Sequence, residues 1–174
     1  MKSIYVWDLG VRLFHWSLVV AFFANAFLID DDSDLHNYVG YFVLGFLTFR
    51  LLWGFIGTNY SRFNSFPVCF ESCFKQLQDI ALQRNHIHIG HTPLGAVMIY
   101  NLLLSIALIG LSGYLMTTDW LWGAEWVEEL HEGFVTWAEI SIVLHILAVI
   151  FESKRSSVNL PHAMLTGVKE IPDP

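Results

Sequence analysis

Four long apolar runs, at 13–29, 37–58, 92–118 and 133–151, constrain this chain more than any other feature. A helix rises about 1.5 Å per residue and the bilayer's hydrocarbon core is about 30 Å thick, so roughly 20 residues cross it and about 17 still suffice. Lipid offers backbone amides no hydrogen-bond partner, which leaves a helix as the way for each run to cross. Gly10 and Arg12 extend the first helix at its start, and Pro93 sits in the first turn of the third, where a missing N–H costs nothing. The spans are therefore expected at about 10–29, 37–57, 93–117 and 131–151, and the fold class is all-α: one integral membrane four-helix bundle over 1–174. With only 9 Lys plus Arg against 16 Asp plus Glu and no basic tract, nucleic-acid binding is excluded.

The few cations orient the bundle. Lys2, Arg12, Arg62, Lys75, Arg84, Lys154, Arg155 and Lys169 all fall in the N-terminal segment, the middle loop or the C-terminal tail. Basic residues beside spans stay on the cytoplasmic side, so both termini are expected there. The two opposite loops carry only acids, Asp30, Asp31, Asp32 and Asp34 in one, and Asp119, Glu125, Glu128 and Glu129 in the other. Trp7, Trp53, Trp120, Trp122 and Trp126 lie near expected helix ends, where an amphipathic ring prefers the interface. A cleaved secretory signal is the competing reading of the start, ending at Ala24–Asn25–Ala26, but cleavage there would discard His15.

In the loop 59–91, Val68, Phe70, Phe74, Leu77 and Ala81 recur at helical spacing and predict a short interfacial amphipathic helix on the cytoplasmic side. Cys69 and Cys73 form C-x-x-x-C, which matches neither covalent haem attachment nor a redox C-x-x-C, and they read as two reduced thiols. The tail from Ser153 is short and is expected to be loosely held.

Four of the 8 histidines fall in or at the edges of the spans, and ionisable residues there are functional candidates. His131 and His145 are 14 residues apart on the fourth helix. That spacing is about 1400° of rotation, so the two lie within roughly 40° of one face and about 21 Å apart along the axis. His15 opens the first helix from the cytoplasmic side, while His36 opens the second from the other. The depth-matched pairs are His15 with His145 and His36 with His131. Two bis-imidazole pairs about 20 Å apart between antiparallel helices are what two stacked b-type haems require. Bis-His ligation leaves iron no open position and suits electron transfer. A zinc or proton channel would instead cluster histidines with carboxylates at one depth.

Arg50 lies 14 residues after His36 and so shares its face at the inner level. Two readings stay open for it, pairing with a haem propionate and snorkelling to the cytoplasmic interface. Glu139, mid-helix, either handles quinone protons or hydrogen-bonds a neighbouring helix. His86, His88 and His91 sit on a loop before the third helix; their close spacing is read as a loop feature rather than a metal tract, with His91 capping the helix or lying near the inner haem edge. The third helix has no histidine, and its Gly95, Ala107, Gly110 and Gly113 read as close-packing residues. His162 is expected to be solvent-exposed.

The motifs V-W-D-L-G-V-R-L-F-H-W at 6–16, H-N-Y-V-G-Y and F-R-L-L-W-G in the second helix, G-H-T-P-L-G-A at 90–96, and L-H-E-G followed by L-H-I-L make the chain resemble the bacterial cytochrome b561 family, which includes the b-type cytochrome subunit of nickel-iron hydrogenases. The resemblance implies two haems b, with iron ligands at His15, His36, His131 and His145, in the bacterial inner membrane. It also implies electron exchange with quinone and a redox partner, such as a periplasmic cytochrome c. A homodimer is left open. Hydrogenase subunits carry a fifth helix, whereas four spans are expected here, which puts the hydrogenase role in doubt. A branch that oxidises superoxide to reduce quinone is the alternative, ranked lower because acidic outer loops repel an anion. The rival from another class is a non-haem membrane metal transporter or anchor subunit.

Overall fold

The computed structural model describes residues 2–84 and 86–172. Its element order is β1 (Lys2–Tyr5), α1 (Leu9–Phe27), α2 (Asp34–Ile56), a 3-10 turn (Phe63–Ser65), α3 (Phe70–Ala81), α4 (Pro93–Met116), α5 (Glu125–Ser156), α6 (Leu160–Thr166) and β2 (Val168–Ile171). Helices α1, α2, α4 and α5 are each long and apolar enough to cross a membrane. Three follow the expected bounds within a few residues. The fourth is longer at both ends, because Glu125 and Glu128 lie in its first turn and Lys154 and Arg155 in its last, each favourable to the helix dipole.

The bundle is apolar outside and polar within. Leu13, Val20, Phe23, Leu52, Leu104 and Ile146 are exposed, whereas Arg50, Ser105, Ser112 and Ser141 are buried. That inversion suits lipid, where helices associate through small residues and interhelical hydrogen bonds. Asn101 supplies one such link between α4 and α5, donating to Ser141 Oγ at 2.8 Å and accepting from Trp137 Nε1 at 3.0 Å. A Cβ on Gly110 would stand 2.4 Å from Leu44 Cδ2, so glycine there sets how closely α4 approaches α2.

Helix α1 lies along α2, α2 along α4, and α4 along α5, but α5 is not backed onto α1 or α2 by any comparable stretch. Close-packed helices have axes about 8–10 Å apart. The wider space on that side of α5 is where the membrane histidines face one another.

One end of the bundle is tied by Asp8. Its side chain caps α1 by accepting from Val11 N at 3.0 Å, and it also accepts from Trp53 Nε1 at 3.0 Å and Thr58 Oγ1 at 2.6 Å, fastening the start of α1 to the end of α2. Gly10 lies beneath the Trp53 ring, 3.0 Å from where a Cβ would be.

The tail departs from expectation. It turns at Ser157 in the left-handed conformation (φ 56°), forms α6 and returns as β2 antiparallel to β1, pairing Lys2 with Ile171 and Ile4 with Lys169. Gly167, at φ 87°, accepts from both Val6 N and Trp7 N. A Cβ there would meet Trp7 O at 2.6 Å, so the turn demands glycine. Arg12 donates to Leu165 O and Trp16 Nε1 to Met164 O, which holds α6 against α1. Val6, Trp7 and Ala163 form a small core beneath the strand pair. The tail is thus a docked clasp, and the all-α bundle carries a two-stranded sheet that joins the chain's two ends.

Burial alone would raise the Asp8 carboxyl, but hydrogen bonds from Thr58, Val11 N, Trp53 and Ser61 outweigh it and hold the group below its ordinary value of 3.8. Asp8→Ala leaves buried donors without an acceptor and is expected to cost about 1–3 kcal/mol, read as a lower unfolding temperature in detergent. A depressed folded value means that the stability is present above the unfolded value and lost as pH falls through the folded one. The gap between wild type and Asp8→Asn is therefore expected to shrink below about pH 4.

Candidate functional site

At the end of the bundle that carries the acidic loops, Ser33 caps α2 by accepting from His36 N at 3.2 Å, which sets His36 in the first turn. Asn25 Nδ2 donates to His36 O at 3.2 Å and ties that turn to α1. Across from it, on α5, His131 brings its ring centroid to 6.5 Å from that of His36. A metal shared by two imidazoles, with metal–nitrogen bonds of about 2 Å and each ring centre about 1.1 Å behind its nitrogen, sets the centres roughly 6 Å apart. The pair fits a shared metal.

The His131 ring is oriented from α4. Its Nδ1 lies 3.0 Å from Ser112 Oγ, and that hydroxyl already donates to Leu108 O and Ile109 O. With the single hydroxyl proton on either of those carbonyls, the serine oxygen is placed to accept from Nδ1–H, the tautomer that leaves Nε2 free. Gly113 makes room for the ring, since a Cβ there would lie 3.1 Å from His131 Cε1. Helix α4 therefore does more than pack. The sequence reading missed Ser112 because a serine in an apolar span reads as a small packing residue; its one signal is its place beside Gly113.

Deeper in the bundle lie His15, six residues into α1, and His145, 14 residues along α5 from His131. His15 Nδ1, like His36 Nδ1, is buried without a partner. A buried imidazole nitrogen left unsatisfied is costly unless a ligand takes up its bonding capacity. The chemistry of the donor set, His36 facing His131 at one level with His15 and His145 at a second, fits haem iron.

Arg50 is buried, with its guanidinium carbon 4.9 Å from the Phe63 ring centroid and Nη1 unpartnered. It does not snorkel to the surface. Glu139 is half-buried on α5. His86 lies 3.5 Å from Asp79 at an exposed edge, and His86, His88 and His91 do not converge on a metal-sized point among the described residues. Thr92, not His91, caps α4, accepting from Gly95 N at 3.1 Å. His91 instead lies between Trp7 (centroids 4.5 Å) and Phe66 (4.4 Å), with Nδ1 buried and unpartnered. Burial first, then the charges of Lys169 and Arg50, push it down to about 3, so it is neutral at physiological pH. His162 is exposed and both cysteines are free.

Four membrane-length helices with His36 and His131 facing one another between α2 and α5 fit a membrane cytochrome of the b type. The chain belongs to the prokaryotic cytochrome b561 family, whose model matches residues 6–167. Membership places it among multi-pass membrane proteins of transmembrane electron transfer that use b-type haem. No curated protein and no solved structure matches the chain significantly.

Outer-shell partners of metal-bound histidines typically contribute 10–100-fold to affinity. For a haem held by His131, Ser112→Ala is expected to weaken retention by about 10-fold or more, measured by transfer of haem to excess apomyoglobin, while leaving retention at the inner pair unchanged.

Proposed function

We propose that the protein conducts electrons across the bacterial inner membrane through two bis-His haems b, one held by His15 and His145 and the other by His36 and His131, between membrane quinone and an extracytoplasmic redox protein such as a cytochrome c. The observation that carries this reading is the 6.5 Å approach of His36 and His131, repeated about 21 Å deeper on the same face of α5 by His145 beside His15. A bound haem b supplies a one-electron carrier whose two axial positions are both filled, which disfavours oxygen binding and limits reorganisation. The chain's own residues present the imidazoles at two levels held apart by one continuous helix, α5. Arg50, buried and without a carboxylate partner among the described residues, is placed to receive a propionate.

The proposed orientation puts both termini and α3 on the cytoplasmic side. Helix α3 supports an interfacial position, because Phe70, Phe74 and Leu77 face outward while Gln76 and Asp79 are buried against the protein. Gln76 Oε1 accepts from Leu94 N at 2.9 Å, bracing the start of α4. At the opposite end, Asp30, Asp31 and Asp32 are exposed together, a surface that attracts a basic partner and repels superoxide. That charge favours a cytochrome c over the superoxide:quinone alternative.

Purified protein is expected to give a b-type reduced-minus-oxidised spectrum and two haems per chain by pyridine haemochrome assay. His15→Ala or His145→Ala removes the inner haem, and His36→Ala or His131→Ala the outer one, each halving the haem content. Undiminished haem in His15→Ala, or iron-free protein from haem-replete cells, overturns the assignment.

A further inference from the structure

Lys169, on β2, is 4% exposed. Its ammonium donates to Gly90 O at 2.8 Å and His88 O at 3.3 Å and stands 5.2 Å from the Trp7 ring centroid. An ammonium has three donors, so one remains after those two bonds. Lys169 and His91 share the Trp7 ring, His91 also lies on Phe66 at 4.4 Å, and Phe66 lies 5.9 Å from the Phe63 ring that Arg50 covers, so one aromatic cluster gathers all three. The cluster therefore holds two buried cations and two unsatisfied nitrogens, Arg50 Nη1 and His91 Nδ1.

The carboxylates nearby are committed elsewhere. Asp8, the anion closest in effect to Arg50, is occupied by Trp53, Thr58 and Val11 N. Glu152, which acts on Lys169, is bound by Arg155 through two hydrogen bonds of 3.0 and 3.1 Å. Two cations withdrawn from water without a bonded anion are an unstable arrangement unless an acidic ligand enters. Arg50 is six residues from the end of α2 and His15 six from the start of α1, so the cluster borders the level of the His15–His145 pair.

We propose that Arg50, His91 and Lys169 form a buried carboxylate pocket, and that the carboxylate is a propionate of the haem held by His15 and His145, so that the clasp of the two chain ends sets that haem's potential. This rests on the ligand assignment above. Lys169 is a positioning residue that acts through charge. Strands β1 and β2 flank the residues matched by the family model, 6–167, and β2 delivers the ammonium from outside that match.

The test is spectroelectrochemical titration of the full-length protein in phosphatidylcholine nanodiscs. A nearby cation favours the reduced haem, so Lys169→Gln is expected to keep both haems and shift the inner one's reduction equilibrium about tenfold toward the oxidised form, 59 mV for one electron. The inner haem is identified as the one absent from His145→Ala. Lys169→Arg is expected to match wild type. Wild-type protein reconstituted with haem dimethyl ester, which has no free carboxylates, removes any dependence on how well the variant folds. With that haem, Lys169→Gln is expected to produce a smaller shift, because the ammonium no longer has a propionate to hold it against the haem edge. An unchanged inner potential in Lys169→Gln, or an equal shift with the ester haem, overturns the pocket. A shift seen only when anionic phosphatidylglycerol is added means that a lipid headgroup fills it, and also overturns the proposal. Absence of haem from wild type would instead defeat the ligand assignment itself.

Discussion

In hydrocarbon, an imidazole or a guanidinium has no solvent to satisfy it, and every polar group the bundle encloses must find its partner inside the protein or in a ligand. The rest of this architecture follows from how that requirement is met. Asn101, Ser141 and Trp137 satisfy one another, and Ser112 shares its hydroxyl between its own helix and His131. Of the side chains left with an unsatisfied buried atom, His15, His36, Arg50 and His91 belong to the candidate haem levels and the Arg50–His91 cluster, and Arg12 and Asn25 do not. A protein that tolerated such vacancies without return would be less stable by several kcal/mol for each charge.

Much of this was legible because membrane spans and depth are nearly one-dimensional properties. The apolar runs gave α1, α2, α4 and α5 directly, and the spacing of His131 and His145 carried over because α5 is one unbroken helix. The amphipathic stretch at Phe70, Phe74 and Leu77 likewise became α3. The start of α5 was harder: Glu125, Glu128 and Glu129 read as a polar loop, yet acids at a helix N-terminus stabilise it. Hydropathy marks the edge of the lipid and not the end of the helix.

The clasp could not be read in the same way. Strands β1 and β2 are four residues each and come from opposite ends of the chain, so no local periodicity announces their pairing, and their signal falls below that of an ordinary strand. Lys169 consequently read as one more orienting cation of a loose tail, although it is buried. Ser112 was missed for a different reason. Its role depends on a ring from another helix, and only the third dimension distinguishes it from Ser105, which simply bonds back to Asn101 O.

These two omissions lie at opposite ends of the bundle and treat their histidine pairs differently. At the His36–His131 end the control is short-range and neutral: the Ser112 hydroxyl lies at hydrogen-bond distance from His131 Nδ1, and Gly113 sets how closely the ring lies against α4. Near the inner level the means is charge, with Arg50 and Lys169 buried close to His91. A neutral hydrogen bond changes the basicity of a ligand, whereas a buried cation acts through space on whatever electron density lies nearby, and does so more strongly in low dielectric than in water. If the bundle holds the two proposed haems, they need unequal affinities for the electron for transfer to have a direction, and ligand sets made alike of two imidazoles would not supply that difference. The asymmetry must then come from the surroundings, and the pairing of the chain's two ends is the element that brings a second cation to one level alone.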